Sequence, residues 1–209
     1  MFTGLIREIA TVTSFSNSTL SLKAKHQAKL GDSIAINGAC LTVIKTDSHG
    51  FSVELSPESQ KFLALENYKD SVHIEPAMLM SDRFEGHVVQ GHVDVIGTVK
   101  KIEILGNSFD VYISVDKKHM PFIVPKGSIT IDGISLTVNE CYDDSFRLTI
   151  IPHTMKNTLF NNYKIGSRVN VETDMFARYV SHLLKHQLTM QTPTQGITWD
   201  DVDQINAHY

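Results

Sequence analysis

Cysteine is scarce in this chain of 209 residues: there are two, Cys40 and Cys141. A disulfide framework of the kind that staples small secreted domains is therefore not expected. The start, Met1-Phe2-Thr3-Gly4, has no basic segment followed by an apolar one, which argues against a secretion signal. Apolar runs are short as well. Ile34-Ala35-Ile36 and Leu148-Thr149-Ile150-Ile151 are strand-sized, far short of a bilayer-spanning helix. Basic residues are scattered and the net charge is -4, so no basic block is present to track a nucleic-acid backbone. A Gly-rich phosphate loop, a G-x-S-x-G elbow and a dinucleotide fingerprint are all missing. These absences lead to the expectation of a cytoplasmic protein with no membrane and no nucleic-acid partner. The 42% of hydrophobic residues suffices for one or two modest cores.

What the chain has instead is an internal repeat. Residues 33–43 and 128–138, at a constant offset of 95, are identical at seven of eleven positions. The same offset lays residues 51–59 on 146–154, so two separate segments keep one register. Upstream, residues 4–12 lie on 91–99 at offset 87, which calls for an eight-residue insertion in a loop of the second copy. Downstream, residues 72–75 match 169–172 at offset 97. The chain divides into halves of about 1–84 and 85–174, followed by residues 175–209.

Within each half the period is that of strands, since Ile34 and Ile36, then Leu41 and Val43, alternate with smaller or polar residues. Asn37-Gly38 and Asp132-Gly133 separate the runs where a tight hairpin turn needs positive φ. Roughly half a dozen short antiparallel strands per half favour an all-β fold of small closed barrels, which leave no exposed edges. After Asp174 the period changes. Phe176, Tyr179, Val180, Leu183, Leu184 and Leu188 recur at helical spacing, with Thr173 or Asp174 placed to cap the start. A linker at 189–197 and a shorter helix around Trp199, Val202 and Ile205 are expected beyond it.

Cys40 and Thr42 share one strand face while Leu41 and Val43 take the other, and Ser135 and Thr137 repeat that arrangement. Such rows also suit the solvent-facing positions of half-buried strands. A free thiol, however, is rarely placed in open water. His87 and His92 each follow a glycine, which lets the backbone approach a ligand closely. A hydrogen-bonded structural histidine explains them equally well. No CxxC or HExxH spacing makes these histidines, Cys40 or His153 into metal ligands, so no metal site is assigned. Ile151-Pro152-His153-Thr154 reads as a strand end with a polar tip, which a surface turn would also provide. From the residues alone, the reading ends at a duplicated barrel with two related polar pockets.

Those same residues resemble the riboflavin synthase family over nearly the whole chain, to about residue 188. Residues 1–6 are similar to the family's MFTGII start, 37–43 to NGVCLTV, 86–94 to GHFVSGHVD, 127–139 to GSI...DGVSLTVN, and 151–154 reproduce IPHT. The resemblance implies two tandem six-stranded antiparallel Greek-key β-barrels with a C-terminal α-helix. It implies a transferase that dismutates two molecules of 6,7-dimethyl-8-ribityllumazine into riboflavin and 5-amino-6-(D-ribitylamino)uracil, one giving a four-carbon unit to the other, as the last step of riboflavin biosynthesis. It further implies no cofactor, a functional link to lumazine synthase, and a homotrimer whose site joins the first barrel of one subunit to the second barrel of a neighbour. Two similar pockets suit two identical substrates, because holding them face to face makes the encounter effectively unimolecular.

Carried over residue by residue, the first pocket is expected to comprise Gly4, Leu5, Ile6, Cys40, Leu41, Thr42, Glu54, Leu55, Ser56, Pro57, Glu58 and Ser59. The second is expected to comprise Gly91, His92, Val93, Lys126, Ser135, Leu136, Thr137, Ile151, Pro152, His153, Thr154, Met155 and Lys156. The reaction must remove a proton from one substrate's 7-methyl group and add a nucleophile at the other's C7. Cys40, His92, Ser135, Thr137 and Asp174 are the candidates for that work. Arg7, Ser56, Ser59 and Gln90 depart from the family pattern. A lumazine- or flavin-carrying relative without catalysis would share the fold, and small barrels that bind single-stranded nucleic acid form the other alternative.

Overall fold

The computed structural model describes residues 1–190. In the first half the alternating segments form β1 (Glu8–Ser16), β2 (Thr19–Lys23), β3 (Ser33–Ile36), β4 (Ala39–Thr46), β5 (Gly50–Glu54) and β6 (Ser71–Pro76). In the second they form β7 (Val95–Leu105), β8 (Ser108–Ser114), β9 (Ser128–Ile131), β10 (Ile134–Cys141), β11 (Ser145–Ile150) and β12 (Arg168–Thr173). Hydrogen-bonded neighbours run β1-β2-β5-β4-β3-β6 and back to β1. The second half closes in the same order, β7-β8-β11-β10-β9-β12. Neighbours that are not consecutive in the chain, such as β2 with β5 and β3 with β6, give each barrel the Greek-key form.

The inward alternation fills one core per barrel. Leu20, Ile34, Ile36, Val43, Val53 and Ile74 are buried in the first, and Ile113, Ile129, Ile131, Val138, Leu148 and Val171 in the second. Each such side chain contributes about 1.5–3 kcal/mol on burial. Bulges follow Val12 and Val99, and also Val43 and Val138, equivalent places in the two copies. An extra residue there sharpens the bend that barrel closure requires. The expected eight-residue insertion is not in one loop. Val12 pairs with Leu22 but Val99 with Ile113, which puts four of the extra residues in the β7–β8 hairpin. The rest lie between β8 and β9, where Lys117–Phe122 form a 3-10 turn.

Two short helices were not expected. α1 (Pro57–Lys61) and α2 (Pro152–Asn157) each begin with a proline in the first turn, where its missing N–H costs no hydrogen bond. The Ile-Pro-His-Thr segment is therefore the start of α2 rather than a simple strand tip. α3 (Met175–Met190) begins as the pattern indicated, with Asp174 Oδ1 accepting the Phe176 N–H at 2.8 Å. Its apolar residues Phe176, Tyr179, Val180, Leu183 and Leu184 all remain exposed. The helix does not lay this stripe on its own barrels; Lys185 Nζ, 5.6 Å above the Phe122 ring, is among its contacts with the 3-10 turn. α3 runs on to Met190, two residues into the linker expected at 189–197; the rest of that linker and the second helix fall outside the described residues.

The barrels meet where the two hairpin turns face each other. Asn37, Gly38, Asp132 and Gly133 all have positive φ, and a Cβ on Gly38 would lie 2.7 Å from the Gly133 backbone nitrogen. From β6, His73 sends Nδ1 to the Asp132 carbonyl at 3.0 Å while Nε2 accepts the Leu159 N–H at 2.8 Å. From β12, Asn170 makes the mirror-image contacts, donating to the Asn37 carbonyl and accepting from the Ala64 N–H, both at 2.8 Å. The acceptor role of Nε2 places the proton of His73 on Nδ1, and burial depresses its pKa to about 4. Asp132 accepts from Asn170 N–H and Tyr163 O–H, yet burial still raises its pKa to about 7.

Candidate functional site

Two buried carboxylates organise the polar strand rows. Glu75 on β6 accepts the N–H groups of Thr3 and Gly4 at 2.7 and 3.0 Å and the Thr3 hydroxyl at 2.9 Å. Glu172, its counterpart on β12, accepts the N–H groups of Gln90, Gly91 and His92 at 2.8, 2.8 and 2.9 Å. Each caged segment precedes its own barrel in sequence and then docks on the other barrel. The Gly4 carbonyl accepts the Ser135 N–H, and the Gly91 carbonyl accepts the Cys40 N–H, both at 2.8 Å. Phe2 and Val89 bridge the two leaders with hydrogen bonds in both directions. Gly4 and Gly91 share φ +78, and a Cβ on either would stand 2.6 Å from the Cβ of Ser135 or Cys40. Only glycine fits there.

Pocket membership is thereby exchanged relative to the sequence expectation. Gly4 meets Ser135 and Ile6 packs on the second core, with Leu5 between them. Gly91 meets Cys40, and Val93 packs on the first core. His92 joins Cys40, Leu41, Gly91 and Val93 around a cleft of about 330 Å³ that α1 borders with Glu58 and Ser59. The reason is tertiary: each leader is continuous with its own first strand, so alignment assigns it to the wrong barrel.

Around the first barrel, Cys40 is half-buried and Thr42 is exposed beside it on the outer face of β4, opposite Glu54 on β5. Leu55 is wholly buried in the core and presents no side chain to the cleft. Two of the departing residues act on each other: Ser56 Oγ accepts the Ser59 N–H at 3.0 Å and caps α1 ahead of Pro57. Around the second barrel, Ser135 and the exposed Thr137 occupy the matching face of β10. Lys126 lies beside the same strand, its N–H donating to the Val138 carbonyl at 2.7 Å. Ile151 and Pro152 open α2; its His153 and Lys156 border a cleft of about 720 Å³ with Ile6 and Arg7. Met155 and Leu136 pack partly on the second core, and the Thr154 carbonyl accepts the Thr158 hydroxyl at 2.7 Å.

Four of the five candidate catalytic residues separate into two groups, Cys40 with His92 and Ser135 with Thr137, while the fifth, Asp174, accepts the Phe176 N–H at the start of α3. A residue outside the expected set completes the second: His87 Nδ1 is 2.7 Å from Ser135 Oγ, and its N–H donates to the Thr3 carbonyl at 3.1 Å. Burial holds the His87 pKa below the usual histidine value, with the charge of Asp174 acting in the opposite direction. A neutral imidazole on a serine hydroxyl can take up or return that proton. The Gly86-His87 run was visible in sequence, but its serine partner is 48 residues away. Burial raises Glu172 to about pKa 7 against its N–H partners and Arg178, with Asp94 adding to the rise. Glu75 is raised by burial too, and there Arg7 acts to lower it.

Paired barrels that present mirrored polar strand faces define a duplicated small-ligand-binding protein, and comparison identifies the class. The Lumazine binding domain family matches residues 3–77 and again 90–174. The chain is 42% identical to a riboflavin synthase of Actinobacillus pleuropneumoniae, over 88% of this chain and 90% of that one. It is 37% identical to a riboflavin synthase of Bacillus subtilis, over 95% and 96%. The crystal structure of LumP complexed with riboflavin superposes with a TM-score of 0.73 at 20% identity, covering 83% of this chain and all of that one. The chain belongs to the riboflavin synthase family and itself carries the lumazine-binding domain twice.

Proposed function

We propose that this protein is a riboflavin synthase, a transferase that dismutates two molecules of 6,7-dimethyl-8-ribityllumazine into riboflavin and 5-amino-6-(D-ribitylamino)uracil. The observation that carries this reading is the mirrored docking of Gly4 on Ser135 and Gly91 on Cys40, which builds two equivalent polar pockets from one duplicated unit. Two copies of one substrate need two such pockets. The pockets differ chemically, as the reaction requires of a donor and an acceptor. In the second, Ser135 backed by neutral His87 suits proton transfer at a substrate methyl group. In the first, the half-buried thiol of Cys40 beside His92 suits addition at an electrophilic carbon. Thr42 and Thr137 supply hydroxyls on the same faces, and Asp174 acts on His87 through its charge.

The exposed stripe of α3 supports assembly as a homotrimer in which the first barrel of one subunit faces the second barrel of the next, since an apolar helix face of this length requires a cover. A cytoplasmic location and a functional link to lumazine synthase belong to the same reading. No helix among the described residues is long and apolar enough to cross a membrane. The test is direct: purified protein incubated with the lumazine should generate riboflavin fluorescence, and Cys40→Ala and Ser135→Ala should each lower turnover while remaining folded. Full activity in both variants would remove the polar rows from the reaction. A chain cut after Asp174 should scatter light as a monomer and make almost no riboflavin; a cut chain that stays trimeric would remove α3 from assembly.

A further inference from the structure

The cage around the second leader extends beyond Glu172. Arg178, in the first turn of α3, reaches back with Nη1 to Asp94 Oδ1 at 2.7 Å and Nη2 to Gln90 Oε1 at 2.7 Å. The same Nη2 lies 3.9 Å from Glu172 Oε1. The second Asp94 oxygen accepts both the N–H and the hydroxyl of Thr173, each at 2.7 Å. One guanidinium therefore ties the helix to both ends of the segment that carries Gly91 and His92. Gln90, a departure from the family pattern, supplies one end of this tie.

Among the described residues, the first leader has no comparable tie. Arg7 and Asp94 are equivalent at the leader offset of 87, so the same position carries a cation beside Glu75 and an anion beside Glu172. Glu75 receives its compensating charge from its own leader. Glu172, facing Asp94, receives it from α3. Such a pair is worth little on the surface, but here all three side chains are at least three-quarters covered and the guanidinium forks between two acceptors.

We propose that Arg178 is a positioning residue for the first pocket: by clasping Gln90 and Asp94 it fixes Gly91 and His92 against Cys40, so that this pocket is complete only while α3 is seated. The inference rests on the proposed function for the identity of the ligand, and on geometry alone for the clasp. It also joins two properties of α3, since the helix whose apolar stripe awaits a partner is the helix that completes the pocket.

Arg178→Ala, in the full-length chain, should lose amide-exchange protection at Gly91, His92 and Cys40 while Gly4 and Ser135 keep theirs. Titration with the fluorescent lumazine should find one of two sites weakened about tenfold, a loss of about 1.4 kcal/mol in binding. Arg178→Lys, which keeps the charge but not the fork, should recover part of both losses. Gln90→Ala leaves the Asp94 pair in place and should give the same pattern at smaller size, which keeps the test open should Arg178→Ala fold poorly. Protection and affinity unchanged at Gly91 and Cys40, or lost equally around Gly4 and Ser135, would overturn the proposal. If wild-type protein binds no lumazine, the functional reading fails while the exchange experiment still decides the clasp.

Discussion

The two barrels agree in strand order, bulges and both glycine contacts, yet differ in the titratable groups set around those contacts. One places a thiol at the glycine, the other a serine with a histidine behind it. One balances its buried glutamate with a cation from the leader, the other with a cation from a helix beyond the barrel. At the seam, Asn37 and His73 on one side stand opposite Asp132 and Asn170 on the other. Backbone approach within van der Waals contact tolerates no side chain, so the duplicated skeleton is held. Side-chain chemistry is not so constrained. The result is a symmetric frame with two unlike pockets, suited to a reaction in which two copies of one compound play different parts.

The seam offers the largest test of that contrast. Asp132 has its folded pKa raised from 3.8 to about 7, so the stability it contributes is complete below pH 4 and is lost as pH rises through 7. His73 is depressed from 6.5 to about 4, so its contribution is complete above pH 6.5 and is lost as pH falls through 4. These contributions, about 4 and 3 kcal/mol respectively, run in opposite directions and largely offset each other. Asp132→Asn, which makes the second turn resemble the first, should leave the His73 slope uncovered, so that stability rises more steeply between pH 4 and 7 than in wild type. His73→Asn should do the reverse. Urea midpoints at three pH values measure both, and parallel profiles for the two variants would sink the account.

Next in size is the glycine pair. Gly91→Ala and Gly4→Ala force a Cβ into Cys40 or Ser135 at a left-handed φ, at an expected loss of about 3 kcal/mol each from strain and overpacking. The exchanged leaders predict which pocket suffers: Gly91→Ala should abolish lumazine binding at the first barrel and Gly4→Ala at the second. The opposite assignment in a two-site titration would reinstate the uncrossed arrangement. His87→Gln keeps the fold but removes the base behind Ser135, and should lower kcat about 100-fold with little change in KM. Cys40→Ser asks whether the first pocket needs a thiol; a small loss there beside a large one for His87→Gln would confirm that the two pockets do different chemistry. The smallest effect is expected from removing the four extra residues of the β7–β8 hairpin, whose Ile104 and Leu105 are exposed, at below about 0.5 kcal/mol by thermal melt.

Local pattern made much of this molecule legible. The alternation around Ile34, Leu41 and Val43, repeated 95 residues later, determines the strands, the Asn37-Gly38 and Asp132-Gly133 turns and the outward rows of Cys40, Thr42, Ser135 and Thr137, because period-two geometry and positive φ act on neighbouring residues. Spacing likewise foretold α3 and its apolar stripe. The short helices at Pro57 and Pro152 escaped because five or six residues carry too little periodicity to separate from a turn. Only the tertiary structure decided that Gly4 belongs to Ser135 and Gly91 to Cys40, that His87 backs the serine, and that Arg178 closes the second cage. Each of those is a hydrogen bond or contact between residues dozens of positions apart in the chain, formed because buried N–H groups and carboxylates must find partners wherever closing the barrels brings them.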